Sequence, residues 1–278
     1  MADEMFAFGK NWKSFVARHM TPDQIAEAEI SLREFLKCDN LAGKTFVDVG
    51  CGSGMFSLAA HRLGASKVVS FDVDADSTEC CRMLREDAGA PDNWTVLSGS
   101  ALDDGFIAGL GKYDIVYSWG VLHHTGNVWK AIENAARLVN ENGLFYIAIY
   151  NRAVGWAIHP DGRIGPSSFW AVEKKIYSSL PAFAQNIIDY ALMTLLILIY
   201  LITFKNPIRK IKDHNRLRGM SWRIDIKDWL GGYPYQPATA DEVSDFVREL
   251  GFTLENLKSN AGLLNNEFLF RKNQLAKL

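Results

Sequence analysis

Val47-Asp48-Val49-Gly50-Cys51-Gly52-Ser53-Gly54-Met55-Phe56 is the stretch on which the reading of this chain turns. It begins inside a mostly apolar run, Thr45 to Val49, of the kind that forms a buried strand. The run passes into Gly-x-Gly-x-Gly and then into an amphipathic stretch, Met55 to Leu63, with helical spacing. Glycines at such a junction let the chain turn sharply and let a ligand approach the backbone. A second strand-like run, Lys67 to Phe71, ends in Asp72. An acid at that place accepts hydrogen bonds from the hydroxyls of a ribose. Strand, glycine turn, helix, strand and acid together describe a nucleoside-cofactor site. Dinucleotide sites read Gly-x-Gly-x-x-Gly, with the pyrophosphate on the helix N-terminus. Here the third glycine comes one residue early, and no Lys or Arg follows closely to meet phosphate.

Val47 to Gly54, together with Ser70-Phe71-Asp72-Val73, resembles the class I S-adenosylmethionine (SAM)-dependent methyltransferases. Tyr113-Asp114-Ile115-Val116-Tyr117-Ser118-Trp119-Gly120-Val121-Leu122-His123-His124 is similar to that family's fourth strand and following loop, and Gly143-Leu144-Phe145-Tyr146-Ile147-Ala148 to its fifth strand. Within the family the likeness is to small-molecule enzymes similar to those of quinone biosynthesis. It covers roughly residues 41–151 and returns over 238–272. The resemblance implies an α/β fold with a Rossmann-like methyltransferase sheet, mostly parallel with an antiparallel last strand. It also implies SAM as cofactor and methyl transfer to an O or N nucleophile of a small, apolar or membrane-derived acceptor. A SAM-binding regulatory or scaffold protein without turnover, and an NAD-dependent oxidoreductase, are the alternatives.

The alternation of strand-like and helix-like segments predicts a parallel sheet with right-handed crossovers. Strands are expected near 44–49, 67–72, 94–98, 113–118 and 143–150, and helices near 54–63, 74–88 and 128–139. Asp74 reads as an N-cap, and Gly64, Gly89 and Gly143 as helix ends. Thr239-Ala240-Asp241-Glu242 is a capping box opening a helix that Gly251 closes. Phe252 to Lys258 and Glu267 to Arg271 then form a strand hairpin at the sheet edge. Thr21-Pro22-Asp23-Gln24 opens an earlier helix whose Ile25, Ala28, Leu32, Phe35 and Leu36 share one face. Phe6, Phe8, Trp12, Phe15 and Met20 form an aromatic cluster before it, either core or lid. The expected organisation is an N-terminal helical cap at 1–40, a SAM-binding core at 41–151, a helical and aromatic insertion at 152–237, and completion of the core at 238–278.

The chain has 278 residues, 48% of them hydrophobic, and a net charge of −2. That is enough for one large domain with an insertion, and it gives no electrostatic case for nucleic acid. Cys38, Cys51, Cys80 and Cys81 lack metal-ligand spacing and read as reduced thiols, so no metal is expected. The acidic start, Met1-Ala2-Asp3-Glu4, has no signal-peptide pattern, which points to the cytoplasm.

For the cofactor, Gly50, Gly52 and Gly54 supply the turn and Asp72 the ribose contact. Asp48 is a charge at a buried strand position and needs a partner; by resemblance its position orients the cofactor's amino-acid end. Ser100 follows the third strand where adenine would sit, a place where many relatives carry Asp. Trp119 follows strand four, at the carboxyl ends of the strands where ligands bind in open α/β sheets. His123 and His124 share the next loop, and a neutral imidazole near pH 7 is a suitable general base. His124 matches a loop histidine of similar methyltransferases. The other reading of both is structural, at the start of a helix that Thr125 or Asn127 caps. Tyr150, Asn151 and Arg152 end strand five on the same side of the sheet and are acceptor candidates, as are Trp229, Tyr233 and Tyr235.

Between Asp189 and Lys205 there is no charge, and the run is apolar on all helix faces. Such a helix must be buried: against its own domain as a cap beside the active-site mouth, in a homodimer, or at a membrane. Fifteen uncharged residues are short for a bilayer span, which needs about 20. The following Lys205, Arg209, Lys210, Lys212, Arg216 and Arg218 suit anionic lipid on the cytoplasmic face as well as a solvated loop. Peripheral membrane contact through 183–218 is therefore one expectation and dimer contact another.

Overall fold

The computed structural model describes residues 22–156, 165–218, 222–260 and 262–274. The proposed N-terminal aromatic cluster and the cap residue Thr21 lie outside them. The core runs α1 (Pro22–Leu36), β1 (Thr45–Val49), α2 (Met55–Arg62), β2 (Lys67–Asp72), α3 (Ala75–Asp87), β3 (Trp94–Ser98), α4 (Asp104–Leu110), β4 (Tyr113–Trp119), a 3-10 turn (Leu122–His124), α5 (Val128–Arg137) and β5 (Val139–Tyr150). Then come α6 (Ser167–Ser179), α7 (Ala182–Ile202), α8 (Pro207–Arg218) and α9 (Trp222–Gly231), followed by α10 (Ala240–Glu249), β6 (Phe252–Lys258) and β7 (Asn265–Lys272).

The seven strands form one sheet in the order β3-β2-β1-β4-β5-β7-β6. β1 to β5 pair in parallel, and β7 runs antiparallel to both β5 and β6. The order reverses between β1 and β4, the switch point where ligands bind in open α/β sheets. Helices cover both faces. Ile132, Ala135 and Val247 pack on one side with Val116 and Phe145, while Leu32, Leu58 and Ala59 pack on the other with Phe46 and Tyr146. Each such large apolar side chain, fully buried, contributes about 1.5–3 kcal/mol. All five predicted apolar positions of α1 are buried, and Phe35 stacks on Tyr146 with ring centroids 4.3 Å apart. The capping box at Thr239 and Glu242 is present in both directions.

Two local expectations need correction. Gly143 does not end a helix: α5 stops at Arg137 and β5 already begins at Val139. A side chain at Gly143 would lie 2.8 Å from the Asn140 carbonyl oxygen and 3.1 Å from that of Asp114, so this glycine permits close strand approach. The helix α4 was not foreseen. Gly105 and Gly109 weaken its helical signal, and Asp103 compensates by accepting from the N–H groups of Gly105 (2.9 Å) and Phe106 (3.0 Å).

The insertion differs most from expectation. The apolar helix α7 has 21 residues, about 31 Å at 1.5 Å per residue, so shortness no longer argues against a span. It is also not buried in its own domain. One face, Leu192, Met193, Leu196, Ile197 and Tyr200, packs on Tyr177 of α6 and on Trp222, Ile226 and Leu230 of α9. The opposite face is open, with Phe183 69%, Leu198 49% and Ile202 75% exposed. The cause is simple: α6, α8 and α9 cover one side of the helix only.

Candidate cofactor and acceptor site

The glycine turn owes its shape to glycine at all three positions. Gly50, Gly52 and Gly54 have φ of 76°, 51° and 83°, a region other residues enter only with strain. The turn is also crowded. A Cβ on Gly50 would lie 2.2 Å from Cγ1 of Val121, and one on Gly54 would lie 2.6 Å from Sγ of Cys81. The four cysteines are free thiols, Cys51, Cys80 and Cys81 being buried.

Asp72 closes the cradle from the end of β2. Its Oδ2 accepts the Gly52 N–H at 3.0 Å and its Oδ1 accepts the Asp74 N–H at 2.9 Å. Each carboxylate oxygen has a further lone pair for a ribose hydroxyl. Burial raises its pKa, and the Asp74 and Gly52 N–H groups pull the other way. Capping α3 falls instead to Asp74, which accepts from Asp76 and Ser77. These features fit a nucleoside cofactor: a glycine cradle that a Cβ would fill, and an acid fixed against it.

Asp48 is 2% exposed and has no cationic partner among the described residues. Its partner is a hydroxyl chain: the Trp94 indole N–H donates to Ser70 Oγ (2.8 Å), Ser70 to Ser57 (2.7 Å), and Ser57 to Asp48 Oδ2 (2.6 Å). Burial pushes the Asp48 carboxyl up to about 7. Sequence reading missed Ser57 and Ser70; polar residues on a helix and a strand facing a buried strand acid were the available signal. Ser100 sits in the turn after β3, its Oγ accepting the Leu102 N–H at 3.1 Å. Trp119 is 37% exposed at the end of β4.

The loop after β4 brings both histidines beside Tyr150. The His123 ring centroid is 4.3 Å from that of His124 and 4.5 Å from that of Tyr150. His123 is fully buried. Its Nδ1 accepts the Tyr150 N–H at 3.4 Å, and its Nε2 meets no hydrogen-bond partner among the described residues. Burial, with His124 and Lys174 nearby, depresses its pKa far below the usual imidazole value, so the ring is neutral. His124 Nδ1 lies 2.7 Å from the Pro234 carbonyl oxygen, and the Gly232 backbone also bonds the ring. Burial is the dominant influence and pushes its pKa down to about 4. A neutral imidazole has one N–H and so donates to only one such carbonyl at a time. This geometry ties His124 to the segment 232–234 more plainly than it frees a nitrogen for proton abstraction. Asn127 caps α5, accepting the Lys130 N–H, and Gln236 accepts the Val128 N–H at 2.9 Å.

Around these rings stand groups from the insertion. Tyr235 lies 5.6 Å from Tyr150 and 6.5 Å from His124 by ring centroids. Lys174 of α6 is buried, donates to the Trp229 carbonyl, and sits 5.4 Å above the Tyr235 ring. Trp229 packs on Trp170 at 4.8 Å, and Tyr233 is partly exposed. Asn151 lies apart in its bonding: its amide donates to the Gly262 carbonyl and accepts from Asn266, tying β5 to the β7 approach. Arg152 pairs with Glu242 at 2.8 Å. Nothing in the sequence distinguished Lys174 from an ordinary helix-surface lysine. Among the described residues no group of three or more His, Cys, Asp or Glu is arranged to hold a metal.

A family model described as a methyltransferase domain matches residues 18–255. The chain belongs to the methyltransferase-domain family. This membership favours SAM over NAD as the nucleoside cofactor, in agreement with the glycine spacing. The methyltransferase domain is 30% identical over 122 residues to a ubiquinone biosynthesis O-methyltransferase of Methylobacterium sp. (strain 4-46), covering 44% of this chain and 47% of that one. It is 37% identical over 75 residues to a ribosomal protein L11 methyltransferase of Vibrio campbellii, covering 27% and 25%. The matches span less than half the length of these curated relatives. Among solved structures, magnesium protoporphyrin IX methyltransferase from Synechocystis PCC 6803, with SAH bound, superposes with a TM-score of 0.53 at 14% identity, covering 90% of this chain and 84% of that one. That likeness is one of fold. The relatives' names differ in what they act on, so similarity alone does not carry an acceptor to this methyltransferase domain.

Proposed function

We propose that this protein transfers the methyl group of SAM to an oxygen or nitrogen of a small, apolar acceptor drawn from the membrane. SAM, when bound, supplies an activated methyl on a sulfonium, and the protein's part is to hold the nucleophile in line with it. Such positioning is worth about 7–11 kcal/mol in favourable cases. The new bond to carbon forms as the carbon–sulfur bond breaks, SAH leaves as the neutral thioether, and a hydroxyl or amine nucleophile gives up one proton to water.

One observation carries the reading. The loop that bears His123 and His124 touches the glycine cradle through Val121 and Gly50, and it is walled by Tyr150 and Tyr235. A site of aromatic rings and neutral imidazoles, its Lys174 already held by the Trp229 carbonyl and the Tyr235 ring face, suits an apolar, ring-bearing or prenylated molecule. In this reading Gly50, Gly52, Gly54 and Asp72 hold the cofactor, Trp119 and Ser100 border it, and Asp48 supports the cradle from beneath. His123, His124, Tyr150, Trp229 and Tyr233 belong to the acceptor side, with His124 acting as a positioning residue for 232–235. The enzyme works in the cytoplasm at the inner membrane face, with a homodimer as the competing use of the insertion.

Calorimetry with SAM, SAH and NAD tests the cofactor, and SAM and SAH alone are expected to bind. Turnover is tested by SAH release in a cellular lipid extract, with a mass search for a methylated product in cells with and without the protein. Tight SAM binding with no SAH formed in any extract would leave a SAM-binding protein without turnover.

A further inference from the structure

Helices α6 and α7 bury polar groups while leaving large apolar ones open. Tyr177 donates to Asp189 at 2.5 Å, and Tyr177, Asp189 and Lys174 are all buried. A set of apolar side chains points outward. On α6 these are Phe169, Val172 and Ile176, at helical spacing; on α7 they include Phe183, Ile187 and Leu198. A helix pair that folds in water alone puts these groups the other way round. The apolar face continues past α7 to Phe204, 99% exposed, and Ile208 at the start of α8. Immediately beside these two stand exposed Lys205, Arg209, Lys210 and Lys212.

We infer that the outer face of α6 and α7 docks in the headgroup region of an anionic bilayer, with the basic start of α8 on the lipid phosphates. An apolar face bordered by a cationic one is the pattern of a helix lying in the membrane plane. Basic side chains at an anionic surface add affinity that salt screens. The inner face decides against a span. Leu192, Leu196 and Tyr200 are committed to α9 and α6, and a lipid-surrounded α7 would lose that packing and strand Asp189 in hydrocarbon. The docking face also leads to the acceptor site. α6 carries Lys174 to Tyr235 and Trp170 to Trp229, and Gly232, just past the end of α9, lies against His124. α6 thus links the docking face to the rings, which is where an acceptor leaving the bilayer would enter. The docking rests on this surface alone, while its link to the acceptor rests on the proposed function.

The test is flotation of the full chain with phosphatidylcholine vesicles, alone and with phosphatidylglycerol added. Binding is expected with phosphatidylglycerol and should weaken at high salt. Leu198→Asp, on the open face, should weaken it at least about tenfold, as should Lys210→Glu combined with Lys212→Glu. Calorimetry with SAM on the same proteins should show unchanged affinity, which separates failure of docking from failure of the cofactor reading. Absence of wild-type flotation overturns the inference, as does flotation that ignores phosphatidylglycerol and survives Leu198→Asp. A non-floating dimer that Leu198→Asp turns into a monomer in sedimentation overturns it too, and assigns the face to a second copy of this chain.

Discussion

The backbone N–H of Gly52 donates to Oδ2 of Asp72 across a 3.0 Å gap. The middle glycine of the turn is thereby fastened to the acid that follows twenty residues later in the chain. The same carboxylate shapes the cradle and offers lone pairs to a ribose, so its removal should be felt twice.

Asp72→Ala removes charge-assisted hydrogen bonds worth roughly 1.5–3 kcal/mol each. SAM affinity should fall at least about tenfold by calorimetry. The Gly52 amide, having lost its acceptor, should exchange with solvent faster. An Asp72→Ala protein that binds SAM as the wild type does would refute the ribose assignment.

Gly50→Ala places a methyl 2.2 Å from Cγ1 of Val121 at a φ of 76°. Two costs follow, a clash and a left-handed backbone that costs a non-glycine residue roughly 1–2 kcal/mol. Adding Val121→Ala relieves only the clash. The single variant should lose SAM binding and melt early, and the double variant should recover part of both in paired thermal and calorimetric measurements. A single variant with wild-type melting temperature and affinity would show that the turn is not closed in this way.

Asp48 gives a pH dependence with a definite sign. Its folded pKa is raised to about 7 by burial, above an unfolded value of about 3.9. The folded chain therefore keeps a proton that the unfolded chain releases. This contribution is fully present below about pH 4 and is lost as pH rises toward 7, at up to about 1.4 kcal/mol per pH unit. Asp48→Asn keeps an acceptor for the Ser57 hydroxyl and does not titrate. Denaturation across that range should show a flatter slope in the variant. Some slope should remain, because the Asp72 pKa is raised as well. An unchanged slope would mean Asp48 is not the group responsible.

The core was legible because its signals are local and repeated. β1, the glycine turn, β2 and Asp72 follow from composition and spacing, and the five apolar positions of α1 fall in one helical face that the sheet does bury. Gly143 misled because glycine marks close approach as readily as a helix end. The acceptor side was only half legible. His123, His124 and Tyr150 lie at strand ends, where the fold makes their position readable. Lys174 and Tyr235 reach the same place from the insertion through tertiary packing, with no motif to announce them. For α7, composition revealed the apolar helix but not that only one side of it is covered.

His124 separates two kinds of catalysis. Its ring faces the Pro234 carbonyl at 2.7 Å and the Gly232 backbone, and its single N–H bonds one of them at a time, so it fastens the segment that carries Tyr233 and Tyr235. As a positioning residue, it should show its loss mainly as weaker use of the acceptor. His124→Asn is expected to raise the apparent acceptor KM in lipid extract about tenfold or more, with SAM affinity unchanged. The pH profile of kcat should keep its shape. If the ring instead took the nucleophile's proton, kcat would fall by about 10²–10⁴-fold. The wild-type profile would then have an acid limb near the depressed His124 pKa of about 4, where the ring charges and can no longer accept a proton, and the variant would lack it. A lost limb with unchanged KM would restore the base role; a raised KM with the limb intact would fix His124 as the anchor of the acceptor wall.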